Sequence, residues 1–328
     1  MTRLTGAHVW TRYALGIVLA IVGVGALLFS SVGLPLVTYT TVLALFGLPH
    51  IASELRYLDY RFGSRLGRSV VLRVVGLLIL AMAARAGGLL GALPFPLAGT
   101  IEILLAAVAV VTLAPAGSSV RWTAVALCLV LVTCALMAPL TTLLFLAVSH
   151  NFTPLGFLAE RLRGRQRRHA LALGAIGLVL LPGLIMTGLP YNWLSELGLG
   201  DPEAIVFPAA GDLLANLGAY VPSWAMGEDW ALHAFSACVF AQCIHYIAVI
   251  GVLPLLIPGG SPPLVHWPKP EMFWVIVIGA GVVVFTGFAA DYLVVRKLYA
   301  IVALLHAWLE LPLLLVALHP PQKKPAYA

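Results

Sequence analysis

Polar residues are sparse along this chain, and between them lie apolar stretches of about 20 residues, the length that crosses the hydrocarbon core of a bilayer as a helix. The pattern predicts ten spans, near residues 13–31, 36–57, 69–91, 98–115, 120–137, 138–160, 169–188, 230–257, 272–291 and 297–318. Between the fifth and sixth, Pro139 after "CALMA" must mark a very tight turn; without it the count falls to nine. The N-terminal run follows a basic start but is as long as a spanning helix. No small-residue cleavage site clearly follows it, so it is expected to stay as the first span. The expected fold is an all-α polytopic membrane protein, a bundle of about ten transmembrane helices forming one domain over residues 1–328. There is no internal repeat, and the one polar low-complexity tract is the tail "HPPQKKPAYA".

Composition agrees with the pattern: 61% of residues are hydrophobic, 10% are charged, and mean hydropathy is +1.01, far outside the soluble globular range. Charge then orients the bundle. Arg56, Arg61, Arg65 and Arg68 follow the second span, and Arg161, Arg163, Arg165, Arg167 and Arg168 follow the sixth, which places both loops on the cytoplasmic side. The segment 190–229 carries Glu196, Asp201, Glu203, Asp212, Glu228 and Asp229 with no Lys or Arg, and is expected outside, leaving both termini cytoplasmic. Its Trp193 and Trp224, with Trp230 just beyond, suggest a short amphipathic helix lying on the outer interface. Arg296 and Lys297, between the ninth and tenth spans, break the charge rule. The net charge of +6 therefore reads as topology and contact with the lipid membrane, not as a nucleic-acid footprint. Cys128, Cys134, Cys238 and Cys243 lie in apolar segments without metal-ligand spacing and read as small buried hydrophobes.

Against this apolar background the histidines stand out. His8, His169, His266 and His319 fall in tails or loops, and His233, near the outer end of the eighth span beside Trp230, reads as a structural contact. His50, His150, His245 and His306 lie deep, where an ionisable side chain is costly unless it faces protein or water and has a partner. At about 1.5 Å per residue, His306 lies about 14 Å from the outer end of its span, His150 about 18 Å, His50 about 21 Å and His245 about 22 Å. All four spans run in the same direction, so the imidazoles are compatible with one layer. Neutral imidazole suits iron, copper and zinc, and ligands must converge on one point.

Two carboxylates extend the set. Glu54 follows His50 by four residues and Glu310 follows His306 by four, so each pair shares a helix face. Either Glu could ligate a metal or could accept the ring N–H of a ligating histidine. Four His suggest a mononuclear iron centre, and four His with two Glu also fit a dinuclear one. The candidate metal ligands are thus His50, His150, His245, His306, Glu54 and Glu310, and the candidate catalytic groups are Glu54, Glu310 and Tyr246. Gln242, Tyr246 and Asn151 flank the histidines as candidate donors to them. The competing reading of Glu54 is an interfacial residue paired with Arg56 or Arg61. Arg85 and Glu102 are expected to pair, and Asp291 and Tyr292 to lie at an interface.

The stretch "FGLPHIASE" resembles the "GxPHGALD" signature of the Brp/Blh-type β-carotene dioxygenases, bacterial and archaeal membrane enzymes that cleave β-carotene to retinal with non-haem iron held by histidines. The resemblance implies a ligand role for His50, a partner role for Glu54 and a location in the inner membrane. Glu54 stands where that motif has Asp, Ile51-Ala52 replaces Gly-Ala, and no late H-x-x-x-H pair is present. The expected function is a non-haem iron oxygenase, or related oxidative enzyme, that uses dioxygen on a lipophilic substrate from the bilayer, carotenoid, isoprenoid or other lipid, with an external electron donor where the chemistry needs one. Two other classes remain: an ion or metal transporter using intramembrane His and Glu, and a haem b redox protein with two axial histidines.

Overall fold

The structure is a computed structural model that describes residues 6–114, 119–257 and 262–318; the polar tail with His319 lies outside the described residues. The helices are α1 (Gly6–Gly33), α2 (Pro35–Leu58), α3 (Arg68–Leu89), α4 (Phe95–Leu113), α5 (Ser119–Met137), α6 (Pro139–His150), α7 (Thr153–Arg161), α8 (Gly164–Met186), α9 (Leu189–Glu196), α10 (Leu213–Leu217), α11 (Ala231–Ile247), α12 (Pro270–Ala290) and α13 (Tyr292–Leu318). No strand occurs among the described residues, and nine of the helical stretches are long and apolar enough to cross a membrane. In α1 the described apolar stretch, Val18–Gly33, is shorter than these nine. The chain is a multi-pass integral membrane protein, and each of the ten expected spans falls on a helical segment.

Prolines punctuate the bundle where a missing N–H costs least. Pro35, Pro139 and Pro270 open α2, α6 and α12, where the first-turn N–H groups have no intrahelical acceptor. The tight turn at Ala138 between α5 and α6 is present, with Ala138 in a non-helical conformation. The expected sixth span, however, is two helices broken at Asn151 and Phe152. Pro154 has no N–H for the His150 carbonyl four residues earlier, and the Thr153 hydroxyl supplies that bond instead at 2.8 Å. The break leaves His150 at the very end of α6.

α2 is central, packing against α1, α11, α12 and α13, while α3, α4 and α5 pack in series and α13 closes against α3, α4 and α7. Three single turns of π-helix interrupt the spans, at Asp59–Gly63, Ile176–Leu180 and Ala248–Val252. Gly47 marks the closest approach of α2 to α13: a Cβ there would stand 2.8 Å from the Tyr299 ring. Gly47→Val is expected to destabilise the protein by about 1–3 kcal/mol through overpacking, read as a lowered thermal midpoint in detergent.

The acidic segment holds the short helix α9, with Leu189 and Trp193 exposed, and a part that packs onto the bundle. Phe207, Leu213, Leu217 and Val221 pack into one buried cluster with Leu36, Tyr39, Phe235 and Tyr292, so the segment folds down onto the bundle. α10 is a single short stretch capped by Asp212, whose side chain accepts from the Ala215 N–H at 2.8 Å. Buried Asn216 donates to the carbonyls of Ala210 and Asp212, and its Oδ1 accepts from Arg296 at 2.7 Å. Arg296 therefore lies within α13 as a tie to the segment, which gives the breach of the charge rule a structural cause. Tyr292, expected at an interface, is fully buried against Phe207 and Phe288, whereas Asp291 is exposed and caps α13 by accepting from the Val294 N–H.

Candidate metal centre

The four deep histidines and both partner carboxylates meet inside the bundle. α2 brings His50 and Glu54, the end of α6 brings His150, α11 brings His245, and α13 brings His306 and Glu310. His50, His245, His306, Glu54 and Glu310 are almost wholly buried. One ligand atom each from His50, His150 and His306 lies within 4.8 Å of the others, and so do those from Glu54, His150, His306 and Glu310. His245 stands beside both groups: its ring is 4.5 Å from that of His150, and its Nε2 is 3.8 Å from Glu54 Oε2.

Ring protons follow from the neighbours. His50 Nδ1 lies 3.2 Å from the Phe46 carbonyl, which can only accept, so Nδ1 carries the hydrogen and Nε2 presents a lone pair. His150 Nδ1 faces Glu310 Oε2 at 2.7 Å, an arrangement that turns the His150 Nε2 lone pair inward in the same way. Both Nε2 atoms converge on His306 Nε2, at 3.1 Å from His50 and 3.2 Å from His150. A single imidazole N–H can serve one of these lone pairs and not both. Two imidazoles bound at right angles to one ion by bonds of about 2.1 Å place their nitrogens about 3.0 Å apart, close to the spacing found.

The carboxylates give a second, independent indication. Both oxygens of Glu54, Oε1 of Glu310, both nitrogens of His245 and Nδ1 of His306 are buried without a hydrogen-bond partner. Two neighbouring carboxylates in an apolar interior, with no Lys or Arg paired to either among the described residues, are costly unless a proton or a cation neutralises them, and a bound metal ion would serve. The pairing of Glu54 with Arg56 or Arg61 does not form. Arg61 pairs with Glu160, and Arg56 lies over the Phe273 ring at 4.4 Å. The donor set, imidazole nitrogens with hard carboxylate oxygens, matches first-row metals such as iron.

The surrounding polar groups sort differently from the sequence expectation. Gln242 and Tyr246 do not donate to His245. Tyr220 donates to Gln242 at 2.7 Å, Gln242 donates to the Tyr246 hydroxyl at 2.8 Å, and that hydroxyl lies 3.3 Å from the Tyr299 hydroxyl. Tyr246 acts on the site through its ring, stacked on His50 at 4.1 Å. The Asn151 side chain bonds the Val148 carbonyl at the end of α6 rather than a histidine, and its backbone N–H bonds the same carbonyl. Thr153, absent from the sequence-derived set, shares its hydroxyl hydrogen between the His150 carbonyl and Glu310 Oε2, the latter at 2.5 Å. Its only sequence signal was a hydroxyl just before Pro154. Thr153→Val is expected to lower metal affinity about 10–100-fold, measured by competition with a chelator.

Arg85 and Glu102 pair as expected, with contacts of 2.6 and 2.7 Å, and Trp308 donates to Glu102 at 2.9 Å. They line a cavity of about 740 Å³ that runs from the acidic segment at Gly218–Ser223 to His50, His150 and His306. Most of its wall is apolar, including Leu43, Phe95, Leu143, Leu146 and Leu304. His233 contacts Tyr191, with rings 4.8 Å apart, away from the histidine cluster. No protein family, curated protein or solved structure matches this chain.

Proposed function

We propose that the protein is a membrane-embedded non-haem iron oxygenase acting on a lipophilic substrate. The observation that carries this reading is a buried cluster of four imidazoles and two carboxylates, with unsatisfied lone pairs, at the end of a large apolar cavity. His50, His150, His245, His306, Glu54 and Glu310 would hold one or two iron ions. Bound iron would supply the binding and activation of dioxygen. The "GLPH" match to the β-carotene dioxygenase signature supports the same chemistry.

The chain's own contribution is positioning and exclusion. The apolar wall keeps water from a hydrocarbon placed beside the histidines. Tyr246 forms part of the cavity lining and holds the His50 ring by stacking, while Glu310 fixes the orientation of His150. The unpartnered oxygens of Glu54 are free to ligate metal or to accept a proton released nearby. Histidines facing across a haem plane fit less well, since the His50 and His306 nitrogens stand 3.1 Å apart with no space for a macrocycle between them.

Cleaving a carbon–carbon double bond into two carbonyls consumes both atoms of dioxygen and needs no outside electrons. Hydroxylation sends one oxygen atom to water and needs two electrons from a donor. The test is dioxygen uptake by iron-loaded and iron-free protein offered isoprenoid and fatty substrates, with and without a reductant. Iron-dependent uptake with oxygenated product is expected; full activity in iron-free protein would end this reading.

A further inference from the structure

The cations at one end of the bundle have a common destination. The acidic segment caps the end of the bundle where α2 and α13 begin, as the bonds from Asp201 N–H to the Gly33 carbonyl and from Arg296 to Asn216 require. Among the described residues, the other Lys and Arg side chains of the spanning helices and their loops lie towards the opposite end. Three lie at the acidic end: Arg85 near the close of α3, and Arg296 and Lys297 near the start of α13. All three line the 740 Å³ cavity.

Their charge is only partly answered. Arg85 pairs with Glu102 and donates to the Ala300 carbonyl at 3.4 Å, which sets its head about one turn along α13 from Arg296 and Lys297. Arg296 is bound by the neutral Asn216 amide, and no acidic side chain pairs with Lys297 among the described residues. Among the described residues Glu102 is the only carboxylate in the cavity wall, which therefore carries more cations than carboxylates at this end. His306 lies nine residues beyond Lys297 on the same helix, about 14 Å along its axis.

We infer that the substrate is an amphiphile with one long apolar chain and a single anionic head, carboxylate or phosphate, held by Lys297 and Arg296 with the chain running along α13 to the histidines. This rests on the oxygenase reading for what happens at the far end, but the binding step stands apart from it. Lys297 is exposed at this end of the cavity, and an anionic head gives its charge a partner that an uncharged hydrocarbon does not. The position of oxidation would then lie about 14 Å from the head, set by the helix rise.

The test is equilibrium binding of hexadecanoate, hexadecyl phosphate and methyl hexadecanoate to the full chain in neutral detergent, with bound iron measured on the same samples. At least one anion is expected to bind about tenfold more tightly than the ester, a difference one charge pair can supply; which anion wins names the head group. Lys297→Gln should abolish most of that preference and Lys297→Arg should keep it. Arg121→Gln, at the opposite end, should leave it unchanged. Equal binding of anions and ester by the wild type, or a preference untouched by Lys297→Gln, would overturn the inference. Because Lys297 is remote from the ligand cluster, iron content should be the same in all these proteins. Absent iron would fault the oxygenase reading without touching the binding result.

Discussion

His306→Ala is expected to strip the protein of iron, leaving less than about a tenth of the wild-type content by mass spectrometry of the purified protein. His306 is, with His150, one of the two members common to both close groups of donors, and its Nε2 is 3.1 Å from His50 and 3.2 Å from His150. Removing it takes a ligand from any ion placed among them, whether one or two are bound. His245→Ala should have the smaller effect of the two, because His245 approaches from the side, its Nε2 3.8 Å from Glu54. Equal losses in the two variants would mean that His245 is a full ligand of the same ion. Retention of iron by His306→Ala would place the metal elsewhere.

The second large effect concerns stability and changes sign with metal. In metal-free protein, Glu54 and Glu310 are neighbouring buried carboxyls with no Lys or Arg partner among the described residues, and breaking a buried charge pair by removing one member costs about 3–5 kcal/mol. Chelation of the wild type should therefore lower the thermal midpoint by on the order of 10 °C. The double variant Glu54→Gln with Glu310→Gln keeps the shape and removes both charges. It should melt below the metal-loaded wild type, above the chelated wild type, and respond little to chelator. A double variant that melts below the chelated wild type would show that the carboxylates stabilise the fold through packing or hydrogen bonds and not through a bound cation.

The chemistry of this site was legible in the sequence because the background is so apolar. In a soluble protein, His50 and Glu54 would be two among many polar residues; in a spanning segment, a helical spacing of four narrows the alternatives to a handful. The common depth of His50, His150, His245 and His306 followed from helix rise and a charge-based topology, and the structure brings all four together with both carboxylates. Thr153 was not legible, since a hydroxyl in a membrane helix usually bonds its own backbone, and its role depends on the break that Pro154 forces after His150. Gln242 and Tyr246 were placed near the right atoms but assigned the wrong partners, because sequence spacing cannot reveal that Tyr220 and Tyr299 arrive from other elements. The packing of the acidic segment was out of reach for a similar reason. Short apolar runs between Gly and Pro read as interfacial, and the spacing does not reveal that Asn216 bonds Arg296 or that Phe207, Leu213 and Leu217 pack against the bundle.

That segment connects fold to function. Its residues Gly218–Ser223 line one end of the cavity, and it holds Arg296, whose neighbour Lys297 lines the same space. The other end is the histidine cluster, fixed by Tyr246 stacking, the Phe46 carbonyl and the Glu310 carboxylate. A long apolar molecule bound between the two ends would reach the histidine cluster along a mostly apolar wall.

The oxygenase reading depends on the buried imidazoles and carboxylates being a metal centre. The decisive measurement is the metal content of the wild-type chain, purified in detergent without chelators and under anaerobic conditions. Iron at one or two atoms per chain is predicted, the number itself deciding between a mononuclear and a dinuclear site. Wild-type protein that is folded yet holds no metal, and gains none when ferrous iron is added, would contradict the metal centre and return the four histidines to packing.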